Sequence, residues 1–124
     1  MASGDIVTDP RGEEVVLGEI GHRIVFENEH VRVWEVLLEP GEVQDWHLHH
    51  HPYLIVGIEG ADNVMEFLDG SEPRHVQETP GRVVFREAGK VHKLTNEGKT
   101  RYRNRLIELK HLDRDGNPVD NGHV

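Results

Sequence analysis

Four of the ten histidines in this 124-residue chain fall within five consecutive positions: His47, His49, His50 and His51. Imidazole is the commonest protein ligand for transition metals, so the cluster indicates metal chemistry. Side chains alternate across a β-strand, so His47 and His49 would share one face, about 6–7 Å apart along the strand. Pro52 disturbs the alternation further on, which leaves His51 as a spare candidate ligand.

A metal site needs at least a third ligand, and His92 supplies a candidate from a distant strand segment. Gly89 precedes this histidine and permits the tight turn that would aim it. The chain has no cysteine, so thiolate ligands and disulfides are excluded. The sequence therefore predicts one divalent transition metal ion held by His47, His49 and His92.

The histidines lie inside two segments that resemble the paired motifs of the cupin superfamily. The first reads Gly41-x5-His47-x-His49-x3-Tyr53-x6-Gly60. The second reads Gly81-x5-Glu87-x-Gly89-x2-His92-x3-Asn96. Every spacing of the family pattern is kept. The resemblance implies an all-β jelly-roll barrel, also called a double-stranded β-helix, but fold alone does not imply one chemistry.

Two positions depart from the family pattern. Tyr53 stands where the family usually has a glutamate ligand, and Glu87 stands where it has proline. The resemblance implies a site of three histidines and one carboxylate. Because a phenol is a poor ligand at neutral pH, we expect a three-histidine site with water in its other positions. Iron-dependent dioxygenases that cleave acetylacetone or oxidise thiols are cupins of this kind. Glu59 and Glu66 are either on a solvated face or replacement carboxylates.

Two further residues are catalytic candidates. Tyr53 would either hydrogen-bond a substrate or bound oxygen, or fill the space left by the glutamate. Arg103 lies between Arg101 and Arg105, and the three alternate along one strand segment. If that face looks inward, an arginine there would bind a substrate carboxylate bidentately. If it looks outward, the arginines would pair with acidic side chains.

Short β segments separated by turn signals must position these residues. They are Arg23–Phe26, Val31–Leu38, Tyr53–Ile58, Asn63–Leu68, Arg74–Glu78, Val83–Phe85, His92–Thr95 and Tyr102–Leu109. This pattern is typical of an all-β sandwich or barrel, and no segment sustains a helical period. We expect a single domain over residues 1–124 with a core at about 22–110, little helix, and polar ends at 1–12 and 113–124.

Composition excludes several classes of function. The formal net charge is -9, which argues against nucleic-acid binding because an acidic surface repels phosphates. No apolar run approaches the length of about 20 residues that spans a membrane, and no signal peptide is recognisable at the start. We therefore expect a cytoplasmic protein, and the resemblance implies a homodimer.

Three functions fit these residues. The first is a non-haem iron dioxygenase that uses Fe(II) on a small chelating carbonyl or enol substrate, because the ion would have open positions. The second is a non-redox isomerase or lyase that uses Zn, Mn or Ni as a Lewis acid. The third is a non-catalytic cupin that binds a small ligand.

Overall fold

The computed structural model describes residues 3–118. Within this range the chain forms eleven strands and no helix, so it contains no helix long and apolar enough to cross a membrane. The strands are β1 (Ile6–Thr8), β2 (Glu14–Val16), β3 (Arg23–Glu27), β4 (Val31–Leu38), β5 (Val43–His47), β6 (Tyr53–Glu59), β7 (Ala61–Phe67), β8 (Arg74–Glu78), β9 (Val83–Arg86), β10 (His92–Asn96) and β11 (Tyr102–Leu109). The prediction of an all-β fold with little helix is confirmed.

The strands form two large antiparallel sheets and one hairpin. One sheet has four strands in the order β5-β10-β7-β8, and the other has five in the order β3-β4-β11-β6-β9. A two-stranded sheet joins β1 to β2. Apolar side chains from both large sheets meet in one core, which includes Val36, Ile55 and Leu106 from one sheet and Met65 and Leu94 from the other.

Alternation along β11 decides what faces this core. Tyr102, Asn104 and Leu106 are buried, whereas the intervening Arg103 and Arg105 are only half-buried. Successive side chains of a strand point to opposite faces, so the arginines lie on the outer face. The sequence left open whether the arginine face of this strand looks inward or outward. The structure shows that it looks outward.

Three of the four motif glycines, Gly41, Gly60 and Gly81, occupy places that favour glycine. The turn expected to depend on Gly89 does not, because its φ is not left-handed and an added Cβ would lie 3.9 Å from the nearest atom, the carbonyl oxygen of Glu87. Gly41 and Gly81 have φ angles of 86° and 81°, in the left-handed region that other residues rarely adopt. At Gly60 an added Cβ would lie 2.3 Å from the carbonyl oxygen of Glu78. The motif glycines thus permit the turns before β5 and β9 and the close approach of β8 to the corner between β6 and β7.

The ends of five predicted strands, β3, β6, β7, β9 and β10, differ from the sequence prediction by one or two residues, and larger differences occur elsewhere. The short hairpin strands β1 and β2 were not predicted, because segments of three residues are too short to show a clear alternation. His49 was predicted to share a strand with His47, but β5 ends at His47. The chain crosses there from the four-stranded to the five-stranded sheet, so the strand cannot continue. Of the polar ends, residues 1–2 and 119–124 lie outside the described range.

Candidate metal centre

Three elements bring the predicted histidines together. His47 ends β5 and His92 begins β10, and the two residues are direct partners across the antiparallel pair. His49 lies in the crossing between β5 and β6. All three are buried, with 2 %, 5 % and 2 % of their surface exposed for His47, His92 and His49. The three residues assigned as ligands from the sequence therefore meet inside the molecule.

The spacing of the three imidazoles fits one ion. Ring centroids are separated by 4.4 Å for His47 and His92, 5.2 Å for His47 and His49, and 5.1 Å for His49 and His92. One nitrogen of each ring lies within 4.8 Å of the other two. Nitrogens this close together can serve one ion, for which zinc–imidazole bonds are about 2.0–2.1 Å long. No carboxylate of residues 3–118 joins this group.

Backbone carbonyls hold two of the rings in a ligating orientation. Nδ1 of His47 lies 2.7 Å from the carbonyl oxygen of Asp45, and Nδ1 of His92 lies 3.0 Å from that of Lys90. An Nδ1–H that donates to a carbonyl leaves the lone pair on Nε2, which is how metal-binding histidines are usually oriented. The buried Nδ1 of His49 has no hydrogen-bond partner in the described part of the chain.

Burial keeps the imidazoles neutral. It lowers the pKa of His47, and together with the neighbouring histidines it lowers the pKa of His49 well below its ordinary value. It also lowers the pKa of His92 to about 3. A metal ligand must be the unprotonated form, so this environment favours a ligating triad at neutral pH. The donor set therefore fits a divalent transition metal ion.

Tyr53 contacts the triad but is not a good ligand itself. Its ring stacks on His49 with centroids 3.9 Å apart and an interplanar angle of 14°. Burial raises the pKa of Tyr53 to about 12, so the phenol stays protonated at neutral pH. The stack gives the ring a packing role, and the neutral hydroxyl remains available as a hydrogen-bond donor.

Arg103 and His51 do not lie with the histidines. The Arg103 Nε lies 2.7 Å from a carboxylate oxygen of Glu35 on the outer face of the sheet. Hydrogen bonds from Arg23 and Arg103 lower the pKa of Glu35 to about 2, so this is a firm ionic contact between β3, β4 and β11. His51 instead places Nδ1 2.7 Å from the carbonyl oxygen of Leu112. Neither residue joins the candidate centre.

A buried carboxylate that was not predicted lines the same interior. Glu78 of β8 is 6 % exposed and borders a small cavity with the three histidines. Its carboxylate accepts a hydrogen bond from the hydroxyl of Tyr102, whose own pKa is raised by burial and by this carboxylate. The sequence held a signal for the burial of Glu78. Residues two apart in a strand share a face, so Glu78 lies on the same face as the apolar Val76, which is buried.

An open pocket of about 580 Å³ adjoins the centre at His92 and Tyr53. Its lining includes Phe67, Arg74 and Arg86. Arg86 is the direct cross-strand partner of Tyr53, so its side chain lies on the same inner face of the sheet. The positive charge of Arg86 adds to the lowering of the pKa of His92. A pocket large enough for a small molecule thus borders the triad at His92.

Comparisons with solved structures identify the fold. A cupin domain from Bordetella pertussis Tohama I superposes with a TM-score of 0.65 at 24 % identity, over 89 % of this chain and 98 % of that one. A double-stranded β-helix protein from Klebsiella pneumoniae gives 0.57 at 18 % identity, over 77 % and 76 % of the two chains. The polyketide cyclase RemF from Streptomyces resistomycificus gives 0.56 at 19 % identity, over 82 % and 70 %.

No protein-family model matches the chain, and no curated protein matches it. The assignment of the fold therefore rests on the structural similarities. The two sequence motifs and the buried histidine triad, which the motifs supply, agree with it. The chain has the cupin fold, with three histidines placed to hold a metal ion at its centre.

Proposed function

We propose that this protein is a metal-dependent cupin enzyme, a non-haem iron dioxygenase that acts on a small chelating carbonyl or enol compound. The observation that carries the proposal is a buried triad of neutral histidines beside an open pocket, with no carboxylate of the described residues close enough to join it as a fourth ligand. Neutral ligands leave a divalent ion its full charge. An Fe(II) ion there would supply Lewis-acid and redox chemistry toward a chelating substrate and oxygen.

The side chains around the triad have separate tasks in this proposal. Stacking fixes the ring of His49 against Tyr53, and the Tyr53 hydroxyl is left to donate a hydrogen bond to a substrate oxygen. Phe67, whose ring lies 6.3 Å from that of His92, gives the pocket an apolar wall. These residues orient the substrate and limit the access of water.

Oxygen consumption tests the proposal. Protein reconstituted with Fe(II) without oxygen is mixed with β-dicarbonyl and related chelating substrates, and oxygen uptake is followed with an electrode. We expect uptake with Fe(II) and none with Zn(II), which has no redox chemistry. The His92→Ala variant should lose uptake and metal together, and Tyr53→Phe should keep the metal while turnover falls by about tenfold to hundredfold.

The proposal fails if fully iron-loaded protein consumes no oxygen with any chelating substrate. A non-redox isomerase, lyase or cyclase is the second candidate. It is favoured by the buried Glu78–Tyr102 pair at the interior cavity, which provides groups for proton transfer, and by the fold shared with a polyketide cyclase. Turnover by the Zn-loaded protein, without oxygen, would identify that chemistry.

A further inference from the structure

Two arginines of this acidic protein are in no ion pair within the described residues. Of its ten arginines, Arg74 and Arg86 make no hydrogen bond and no ion pair with any residue of the described range 3–118. The other eight contact carboxylates or backbone carbonyls. With 23 acidic residues in the chain, partners are not scarce. Both unpaired arginines line the open pocket beside the triad.

The guanidinium of Arg86 is the more informative of the two. Its Nε is buried and has no hydrogen-bond partner in the described chain. A buried donor without a partner is costly, so native proteins rarely keep one without a functional reason. Arg86 ends β9 opposite Tyr53, on the inner face, next to the ring that stacks on His49. The donor therefore lies close to the candidate metal centre.

Arg74 lies across the pocket on β8. Its guanidinium carbon lies 5.8 Å from the ring centroid of Phe67, and this cation–π contact holds it at the pocket wall without neutralising it. Lys90 also lines the pocket, but it is paired with Asp69 at 2.9 Å. Glu72 and Glu87 lie exposed at the rim and make no ion pair with either arginine. Two guanidinium groups thus remain for a ligand.

We infer that the pocket binds a carboxylate of the substrate through Arg86 and Arg74, so that the substrate is a small chelating oxo acid. The inference deepens the proposed function and rests on it for the chelating part of the substrate. A guanidinium is planar and donates two parallel hydrogen bonds to a carboxylate. The carboxylate would satisfy the buried Nε and leave the oxo group directed toward the histidines.

Matched ligands test the inference. Binding of acetoacetate and of its uncharged analogue acetoacetamide is measured by calorimetry on Zn-loaded protein, where no oxygen chemistry occurs. We expect acetoacetate to bind more tightly. Arg86→Gln should weaken acetoacetate binding by about tenfold to hundredfold and leave acetoacetamide binding unchanged. Arg86→Lys keeps the positive charge but not the planar guanidinium, so its loss of affinity for acetoacetate should be intermediate.

Lys99→Gln is the matched control, because it removes one exposed positive charge in the turn after β10, at the end away from His92. It should leave both affinities unchanged, and thermal melts should show that all variants are folded. Equal affinity of wild type for acid and amide would overturn the inference. The inference would also be overturned if Arg86→Gln lost affinity for both ligands equally, since the arginine would then only shape the pocket.

Competition with acetate and with inorganic phosphate tests whether the arginines prefer a carboxylate or a phosphate, since a guanidinium binds both kinds of anion. Acetate should displace acetoacetate at lower concentration than phosphate does, and stronger displacement by phosphate would overturn the assignment of a carboxylate. Failure of the proposed function is distinguishable, because it would abolish oxygen uptake by iron-loaded protein while the preference of Zn-loaded protein for the acid persisted.

Discussion

At the scale of single residues, burial sets the chemistry of the centre. His47, His49 and His92 are held neutral because water is excluded from their rings, and two of them are oriented by backbone carbonyls. Residue types and spacing were enough to predict that these three histidines would meet, and their binding of a metal ion stays a prediction. They were not enough to predict Arg86, since its four-residue strand has exposed neighbours and no apolar alternation that marks an inner face.

Acid should destabilise the metal-free protein through the same histidines. Unfolding restores the ordinary pKa of His92, near 6.5, from about 3 in the folded protein. Below about pH 6.5 the unfolded chain therefore binds a proton that the folded chain does not, and the free energy of unfolding falls as pH falls. Between about pH 7 and pH 4 the loss from His92 amounts to as much as about 3 kcal/mol.

Thermal melts of metal-free protein across this pH range measure the effect. The melting temperature of wild type should fall on acidification, and that of His92→Gln should fall less steeply because glutamine does not titrate. A variant with the same pH dependence as wild type would show that His92 is not held neutral by burial.

At the scale of elements, the strands bring distant histidines into register. Three predicted strands, β4, β8 and β11, have the bounds that the sequence indicated. Turn signals follow the first two, Pro40-Gly41 after β4 and Pro80-Gly81 after β8. Prediction was poorer where the chain passes from one sheet to the other, as between His47 and Tyr53. Such crossings depend on tertiary packing, which a local pattern does not report.

Asn96 connects three segments at the far end of β10. It is fully buried, and its Nδ2 donates to the carbonyl oxygens of Leu38 and Thr100 at 3.0 and 2.8 Å. Its Oδ1 accepts a hydrogen bond from the backbone N–H of Gly98 at 2.9 Å. Asn96→Ala would leave these buried groups unpaired, so we expect the free energy of unfolding to fall by about 2–4 kcal/mol.

Urea denaturation compares Asn96→Ala with Glu97→Gln, an exposed neighbour in the same turn. The control should change the free energy of unfolding by about 0.5 kcal/mol or less. If Asn96→Ala were equally mild, the role of Asn96 in the turn would be refuted.

At the scale of the whole molecule, one sheet edge is suited to pairing with a second copy. β3 is an edge strand of the five-stranded sheet, and Ile24 and Phe26 on it are 46 % and 54 % exposed. If two copies of β3 pair antiparallel about Val25, Arg23 of each lies opposite Glu27 of the other, and Ile24 lies opposite Phe26. We propose a homodimer formed through this edge, since unpaired apolar edges readily pair with another chain.

Analytical ultracentrifugation of wild type and Phe26→Asp tests the dimer. Wild type should sediment as a dimer, and the variant should dissociate because a charge replaces an apolar contact. Val43→Asp, at an exposed valine on the edge strand β5, is the control that should remain dimeric. A monomeric wild type, or a Phe26→Asp dimer, would contradict the proposal.

Metal content measured by mass spectrometry on purified protein tests the three-histidine centre most directly. Wild type and His75→Ala, which changes an exposed histidine of β8, should each carry about one transition metal ion per chain. His47→Ala, His49→Ala and His92→Ala should each carry little or none after dialysis. Metal retained at full stoichiometry in the three variants, or a wild type that binds none when Fe(II) and Zn(II) are supplied, would contradict the account.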